Sequence, residues 1–524
     1  ARVITELGRP DVARDVVEAL LAERDLRPGF PRRLEEEARE AAAAARELEV
    51  SRRDLTALAT FTVDPASARD FDDAVSAEPE GDGIRLWIHI ADVAAHVRPG
   101  TRLDAHARER ANSTYVPGMV VPMLPETLSG DACSLAPGVE RLAVTAEIVL
   151  KGTGEVASAS FYRSRIRSDA RLNYDQLDRF FAGEEKPPAE IAAPLDLARR
   201  AAAVLAERRG GSALDVSTTE PEFEFDSDGH VTRARAVEQT EAHRLIEQLM
   251  ILTNECVAQR CEQRGVPTLY RVHEQPDPSR ITVLFEQLAS LDLPTPPLPE
   301  AFGPREAGEL AARASRMVQA DAARRGHGAE AYTSLVLRSL KPAFYTHENL
   351  GHAGLGSAAY AHFTSPIRRY PDLIAHRALL SLIGAGEDEP DRLEVREAGP
   401  WCSEREREAM VIEREADKVC ASFLLERELF ERGWERPFDG EVSGVISAGA
   451  FVRFAGELGD VYEGFVPARR LRGERFELNE TETALVGTKT GRTVRIGDPL
   501  GVVVEGVEPA RGRVDLLPFE RPEN

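Results

Sequence analysis

The stretch Phe61-Thr-Val-Asp-Pro-Ala-Ser-Ala-Arg-Asp-Phe-Asp-Asp-Ala-Val75 places four carboxylates, Asp64, Asp70, Asp72 and Asp73, within ten residues. Carboxylates packed this closely repel one another and raise each other's pKa. A divalent cation removes the conflict, and hard oxygen ligands that leave room for water favour Mg²⁺ or Mn²⁺. Such a centre can activate water and neutralise a phosphoryl oxygen, as in two-metal phosphodiester hydrolysis. A solvated acidic loop is the competing reading. Phe61, Val63 and Val75 weigh against it, because they draw the cluster between segments that seek burial, where a carboxylate needs a partner. A calcium loop fails outright: counted from Asp64, the required sixth-position Gly is Arg69.

Outward from this run, Ile84, Leu86, Ile88 and Ile90 alternate with Arg85, Trp87 and His89, the period of a strand. Val144–Leu150 is a second strand candidate. Residues 115–138, punctuated by Pro and Gly, read as a long ordered loop. Apolar residues at helical spacing predict helices over 11–24, 33–48, 187–208, 242–264, 304–325 and 403–431, with Gly265 as a stop for the fourth. After Trp434 the texture shifts to short strands at 440–446, 450–454, 464–467, 493–496 and 499–507, which suggests a small β-barrel. The fold class is therefore α+β: a helical lead-in (1–50), a large catalytic body (51–434), a barrel (435–518) and a short tail (519–524).

The 524 residues are 42% apolar and 30% charged, values that suit a soluble globular chain and argue against long disorder. No run of about 18 apolar residues occurs, so no membrane partner is expected. The first residues lack a secretory pattern. Five cysteines, none in a CxxC pair, support neither a zinc knuckle nor a disulfide scaffold and point to a reducing cytoplasm. Cys256 and Cys261 read as half-buried thiols on a helix. A formal net charge of −23 argues against non-specific coating of nucleic acid but allows a local basic channel. Arg supplies nearly all the positive charge, and Arg grips phosphate with two prongs.

A complementary basic segment, YAHFTSPIRRYPDLIAHR (360–377), sets Arg368 and Arg369 after a Ser-Pro turn. Such a pair can hold a phosphate or stabilise charge on a transferring phosphoryl group; equally, it can cap a helix. His89, His273 and His362 read as structural, because the proposed chemistry calls for hard oxygen ligands.

These segments, with STYVPGMVVPMLPETLSGDACSL (113–135), resemble the ribonuclease R / ribonuclease II (RNB) family of 3′→5′ exoribonucleases, and are closer to ribonuclease R. The resemblance runs over about residues 1–518. It implies an RNB catalytic domain with a central RNA channel, followed by an S1-type OB barrel. It implies that Asp64, Asp70, Asp72 and Asp73 surround catalytic Mg²⁺, with Asp72 the most critical, and that Arg368 contacts the scissile phosphate. Tyr115 matches an aromatic that stacks on the 3′-terminal base, and Glu413, in VIEREADKV, a glutamate near the terminal nucleotide. Tyr174 and Glu247 match residues that contact ribose, where the 2′-OH distinguishes RNA from DNA. Taken alone, Tyr115 could equally be a packing aromatic and Glu413 part of a solvated face. GVISAGAFVRF (444–454) and GFVP (464–467) fit the S1-type barrel, with Phe451 and Phe465 as stacking faces or as core.

Three departures from the family pattern stand out. Residues 1–45 resemble the helical linker that follows a pair of N-terminal cold-shock domains, so the chain reads as truncated; a basic C-terminal tail is also missing. RGGSALD (209–215) places Leu214 where the family has an aromatic clamp. The expected activity is Mg²⁺-dependent hydrolysis of single-stranded RNA from a free 3′ end by a cytoplasmic monomer. A non-catalytic RNA-binding protein on the same scaffold and a DNA exonuclease are the rival classes.

Overall fold

Both apolar runs that flank the acidic segment become strands, Phe61–Val63 and Asp73–Glu80, paired antiparallel through Phe61 and Val75. A two-residue turn at Gly81-Asp82 leads into the strand Gly83–Ala91. Gly81 sits at φ 60°, the left-handed conformation that tight hairpins require and glycine adopts without cost. In this computed structural model, which describes residues 7–46, 51–210, 220–471 and 473–519, these strands lie within a seven-stranded sheet. Its spatial order is Arg53–Asp54, Val156–Arg167, Glu140–Leu150, Gly83–Ala91, Asp73–Glu80, Phe61–Val63, Ala170–Leu172, antiparallel except for the two outermost pairings.

The alternation in Gly83–Ala91 does not mark a wet face. Trp87 and His89 are as buried as their apolar neighbours. The polar positions satisfy one another in a hydrogen-bonded ladder across the sheet: Thr60 to Ser76 (2.7 Å), Ser76 to His89 (3.1 Å), His89 to Thr145 (2.9 Å) and Thr145 to Ser164 (2.6 Å). Burial holds the His89 imidazole neutral, its pKa lowered to about 3. The structural reading of this histidine stands.

Helices cover the sheet. Ala192–Arg209 packs on the strand Asp73–Glu80 and against the helix Glu241–Arg264, which ends at Gly265 in the left-handed conformation as expected. The first of these begins at Ala192 rather than 187, beyond Pro187-Pro188. The helix expected at 403–431 is longer, Arg392–Arg432, with Pro400 inside it. Proline breaks a helix in sequence logic, but here burial of Val395, Ala398 and Cys402 outweighs one lost N–H donor. Tyr370–Leu382, buried along nearly its whole length, passes through the same core. Cys256 and Cys261 are buried, not half-buried, as are the other three cysteines, and all five are free thiols. The stretch 115–138 is more ordered than a loop: Thr114–Val116 and Met119–Val121 form a hairpin.

The C-terminal strands Pro437–Ile446, Gly449–Phe454, Tyr462–Pro467, Pro499–Glu508 and Arg513–Pro518 close into a barrel. The first strand pairs with both the second and the fourth, and the fifth lies between the third and the fourth. Thr493–Arg495, expected in the barrel, belongs instead to a separate three-stranded sheet with Phe476–Leu478 and Ala484–Gly487. The barrel is anchored to the body by Glu428 of the long helix. This fully buried carboxylate accepts from the Glu457 N–H (2.8 Å), the Leu458 N–H (3.1 Å) and the Tyr462 hydroxyl (3.0 Å). Three donors to one anion offset its desolvation.

Candidate active site

The acidic loop is fixed from both ends. Arg171 donates to the Pro65 and Ala66 carbonyls at 2.9 and 2.7 Å. Ser134 donates to the Arg69 carbonyl (2.7 Å) and accepts from the Phe71 N–H (3.1 Å), so the far end of the 113–135 motif ties down the middle of the loop. Phe71 and Val75 anchor it in the core, and all four aspartates line the adjoining cavity.

The basic segment meets this loop from across the chain. Asp72 is buried; its Oδ1 accepts from the Ile367 N–H at 2.9 Å, and its Oδ2 lies 3.5 Å from Arg368 Nε. The Arg368 side chain stays 44% exposed, open to the space in front of the aspartates. Its position is set by a turn. Asp372, fully buried, accepts from the Ser365 N–H (2.8 Å) and from Arg369 Nη2 (2.8 Å), while Ser365 Oγ accepts from Arg368 Nη2 (3.2 Å). The Ser113 N–H donates to the Arg368 carbonyl, so all three motifs meet at one point. Arg369 thus turns its fork to Asp372, whereas Arg368 faces outward.

Burial dominates the electrostatics. It pushes Asp64 up to about 8, with Asp73 and Asp70 adding repulsion, and Asp73 up to about 7 against the pull of Arg368 and Arg369. It also holds Asp72 well above the usual carboxylate range despite Arg368 and the Ile367 N–H. Asp64 Oδ2 and Asp73 Oδ2 are buried and accept no hydrogen bond. Orphaned carboxylate oxygens of this kind fit a hard divalent cation, which would favour their ionised form. The four aspartates are not drawn into a ready-made cage, however: among the described residues no group of three or more His, Cys, Asp or Glu converges tightly enough to hold an ion by itself. Two of the four are engaged elsewhere, Asp72 by Ile367 and Asp70 by Tyr115.

Tyr115 stands on the hairpin Thr114–Val116, 38% exposed. Its hydroxyl donates to Asp70 Oδ2 at 3.0 Å, and its N–H donates to Glu413 Oε1 at 2.8 Å. Burial raises the Glu413 pKa, opposed by that N–H. Tyr174 opens a helix capped by Asn173 and stacks on His243 with ring centroids 3.9 Å apart. Phe451 and Phe465 are cross-strand partners on the barrel with centroids 5.1 Å apart. A single continuous cavity of about 2780 Å³ is lined by all twelve residues singled out in the sequence, from Asp64 and Arg368 through Tyr115, Tyr174, Glu247, Arg369 and Glu413 to Phe451 and Phe465. Leu214 lies outside the described residues. His362, 2.8 Å from the Tyr345 hydroxyl, and His273, which accepts from the Gly354 N–H, make structural bonds.

Sequence reasoning passed over Ser365 and Asp372, both inside the quoted motif, and Asp417. Asp417 lines the same cavity one helical turn beyond Glu413, and its pKa is raised to about 7 by burial and then by Glu413 and Glu220. The i,i+4 spacing from Glu413 was its only signal.

The RNB domain matches residues 52–385, and the chain belongs to the RNB family. It is 34% identical to Ribonuclease R of Aquifex aeolicus over 100% of this chain and 73% of that protein, and 36% identical to Ribonuclease R of Escherichia coli over 91% of this chain and 58% of that one. The solved structure of Mycoplasma genitalium RNase R in complex with ribose methylated single-stranded RNA superposes with a TM-score of 0.87 at 26% identity, covering 98% of this chain and 79% of the other. Within the family, the chain is an exoribonuclease similar to ribonuclease R.

Proposed function

We propose that this chain degrades single-stranded RNA hydrolytically from a free 3′ end, releasing nucleoside 5′-monophosphates with a divalent cation, Mg²⁺ or Mn²⁺, at the aspartate cluster. The observation that carries this is the single cavity that joins Asp64, Asp72, Asp73 and Arg368 to the Phe451–Phe465 pair. Asp64, Asp70, Asp72 and Asp73 would hold the cation, its shell completed by water and phosphate oxygens, as suits Mg²⁺. When bound, it supplies Lewis-acid activation of water and neutralises phosphoryl charge.

The protein's own groups do the rest. Arg368 meets the charge that grows on the scissile phosphate, held on target by Ser365 and the Asp72 carboxylate. Tyr115 offers its ring to the last base, while the Glu413 carboxylate fixes the strand that carries it. Tyr174 and Glu247 line the wall where a ribose 2′-OH would be read. Water adds across the terminal P–O3′ bond; the 3′-hydroxyl stays with the shortened strand and the 5′-monophosphate leaves. The barrel reads as an S1-type OB module from its strand order, with Phe451 and Phe465 as a sequence-tolerant platform for the incoming strand. Confinement of the strand in one continuous cavity supports processive action on unpaired strands, with entry into duplex from a 3′ tail, by a chain we read as a monomer, and the free buried thiols fit a reducing cytoplasm. Among the described residues no helix is long and apolar enough to cross a membrane.

The test is 5′-labelled poly(A) with Mg²⁺. Stepwise shortening from the 3′ end and mononucleotide products are expected. Binding without release would establish a non-catalytic RNA-binding protein, and equal decay of matched DNA a less selective nuclease.

A further inference from the structure

Tyr115 joins two parts of the site that chemistry would keep separate. Its ring faces the cavity as a surface for a base, while its hydroxyl donates to Asp70 Oδ2 at 3.0 Å, one of the carboxylates of the cation cluster. The backbone beneath it has little freedom, because its N–H is held by Glu413 from the long helix and the hairpin is paired through Tyr115 and Val120. What remains free is rotation of the side chain, whose tip is tied to Asp70. Asp70 itself is half-exposed on the acidic loop, and no other side chain donates to it among the described residues.

We propose that Tyr115 is a positioning residue that couples recognition of the 3′-terminal base to cation binding: stacking of the base fixes the ring, and the phenol then fixes the Asp70 carboxylate as a ligand. The inference rests on the reading that the aspartates hold a divalent cation and that the last base stacks on Tyr115. Its physical basis is entropic. A carboxylate whose rotamer is already set loses less freedom when a cation binds, and a ring with a base against it holds its hydrogen bond for a larger fraction of the time. Coupling of this kind is reciprocal, so the cation also favours the base. The consequence for the chemistry is selectivity. A strand end without a stacked base leaves Asp70 loose and the cation weakly held, and an intact end completes the centre.

The experiment is a cycle between the base and the hydroxyl, read as Mn²⁺ affinity by electron paramagnetic resonance, with RNA alone as the blank. The RNA is a short single strand with a non-cleavable last linkage, carrying either adenine or an abasic sugar at its 3′ terminus; both forms present the same phosphates. In the unmodified chain the abasic end should weaken Mn²⁺ binding about fivefold. In Tyr115→Phe, which keeps the ring and removes only the hydroxyl, the two RNAs should give the same Mn²⁺ affinity. An equal loss in both proteins overturns the coupling and leaves the cation site standing. No Mn²⁺ bound by the unmodified chain with either RNA overturns the site reading and the coupling together.

Discussion

The Arg368 guanidinium and the Asp72 carboxylate face each other at 3.5 Å, although 296 positions separate them in the chain, and the peptide just before Arg368 donates its N–H to the other oxygen of the same carboxylate. Asp72 is thus the clamp that seats the arginine, and in the proposed reaction it also lies at the reaction centre. Asp72→Asn keeps the shape and an oxygen for the Ile367 N–H but removes the charge. Turnover on poly(A) should fall by about 100-fold or more, while RNA affinity changes little. Because burial works against the ionised form of Asp72, the same variant should melt no lower than the unmodified chain in chelator. Near-normal turnover would remove Asp72 from the chemistry.

Asp64 Oδ2 and Asp73 Oδ2 are buried acceptors without donors. A cation that binds them in the folded state alone raises stability by mass action. Thermal unfolding in millimolar Mg²⁺ should therefore lie above that in chelator by a few degrees, and the difference should vanish in the Asp64→Asn/Asp73→Asn double variant. A shift of the same size in that variant would place the cation elsewhere.

Asp417 provides a pH test away from the cation cluster. Its pKa is raised in the fold to about 7 from an ordinary 3.8. Between those values the folded state binds more protons than the unfolded one, so this group's contribution to stability is lost as pH rises from about 4 to about 7. Asp417→Asn carries no such penalty. Relative to the unmodified chain it should gain melting temperature at pH 8 and show little gain near pH 4. A difference independent of pH would refute the assignment.

Arg163 is buried between two carboxylates, with Nε 3.1 Å from Asp92 and Nη2 2.7 Å from Glu387; Asp92 is also 2.8 Å from Arg52. Arg163→Ala leaves Asp92 with Arg52 alone and Glu387 with Arg98 alone, the latter at 3.6 Å, and should cost about 3–5 kcal/mol in denaturant unfolding because both buried carboxylates lose their central partner. A loss below about 1 kcal/mol would show that water or a rearranged Arg52 replaces it.

Phe451 and Phe465 stand on the barrel, away from the aspartates in sequence and in fold. If they hold the incoming strand, Phe451→Ala should weaken RNA binding by about 1 kcal/mol or more, since stacking contributes about 1–3 kcal/mol per base. Turnover at saturating RNA should be unchanged. A drop in kcat with KM unaltered would contradict the platform role.

How much of this was legible beforehand depended on the range of the interaction involved. Apolar spacing located the helix Glu241–Arg264 and its stop at Gly265, because 3.6-residue periodicity and a left-handed cap are local. The same local logic began the long helix too late, at 403 instead of Arg392, and put Thr493–Arg495 into a barrel it does not join, because tertiary burial and strand pairing overrode it. His89 read as structural, but its reason, a ladder of five side chains on neighbouring strands, is visible only once register is set.

Residue chemistry, by itself, determined that four close carboxylates require a positive partner and that an Arg pair after a Ser-Pro turn can serve a phosphate. It could not decide that Asp72 seats Arg368, that Arg369 turns back to Asp372 or that Tyr115 reaches Asp70. Those pairings join residues up to hundreds of positions apart, and their geometry is set by how the sheet, the hairpin and the long helix pack. Charge and hydrophobicity belong to each residue, whereas distance and burial belong to the fold.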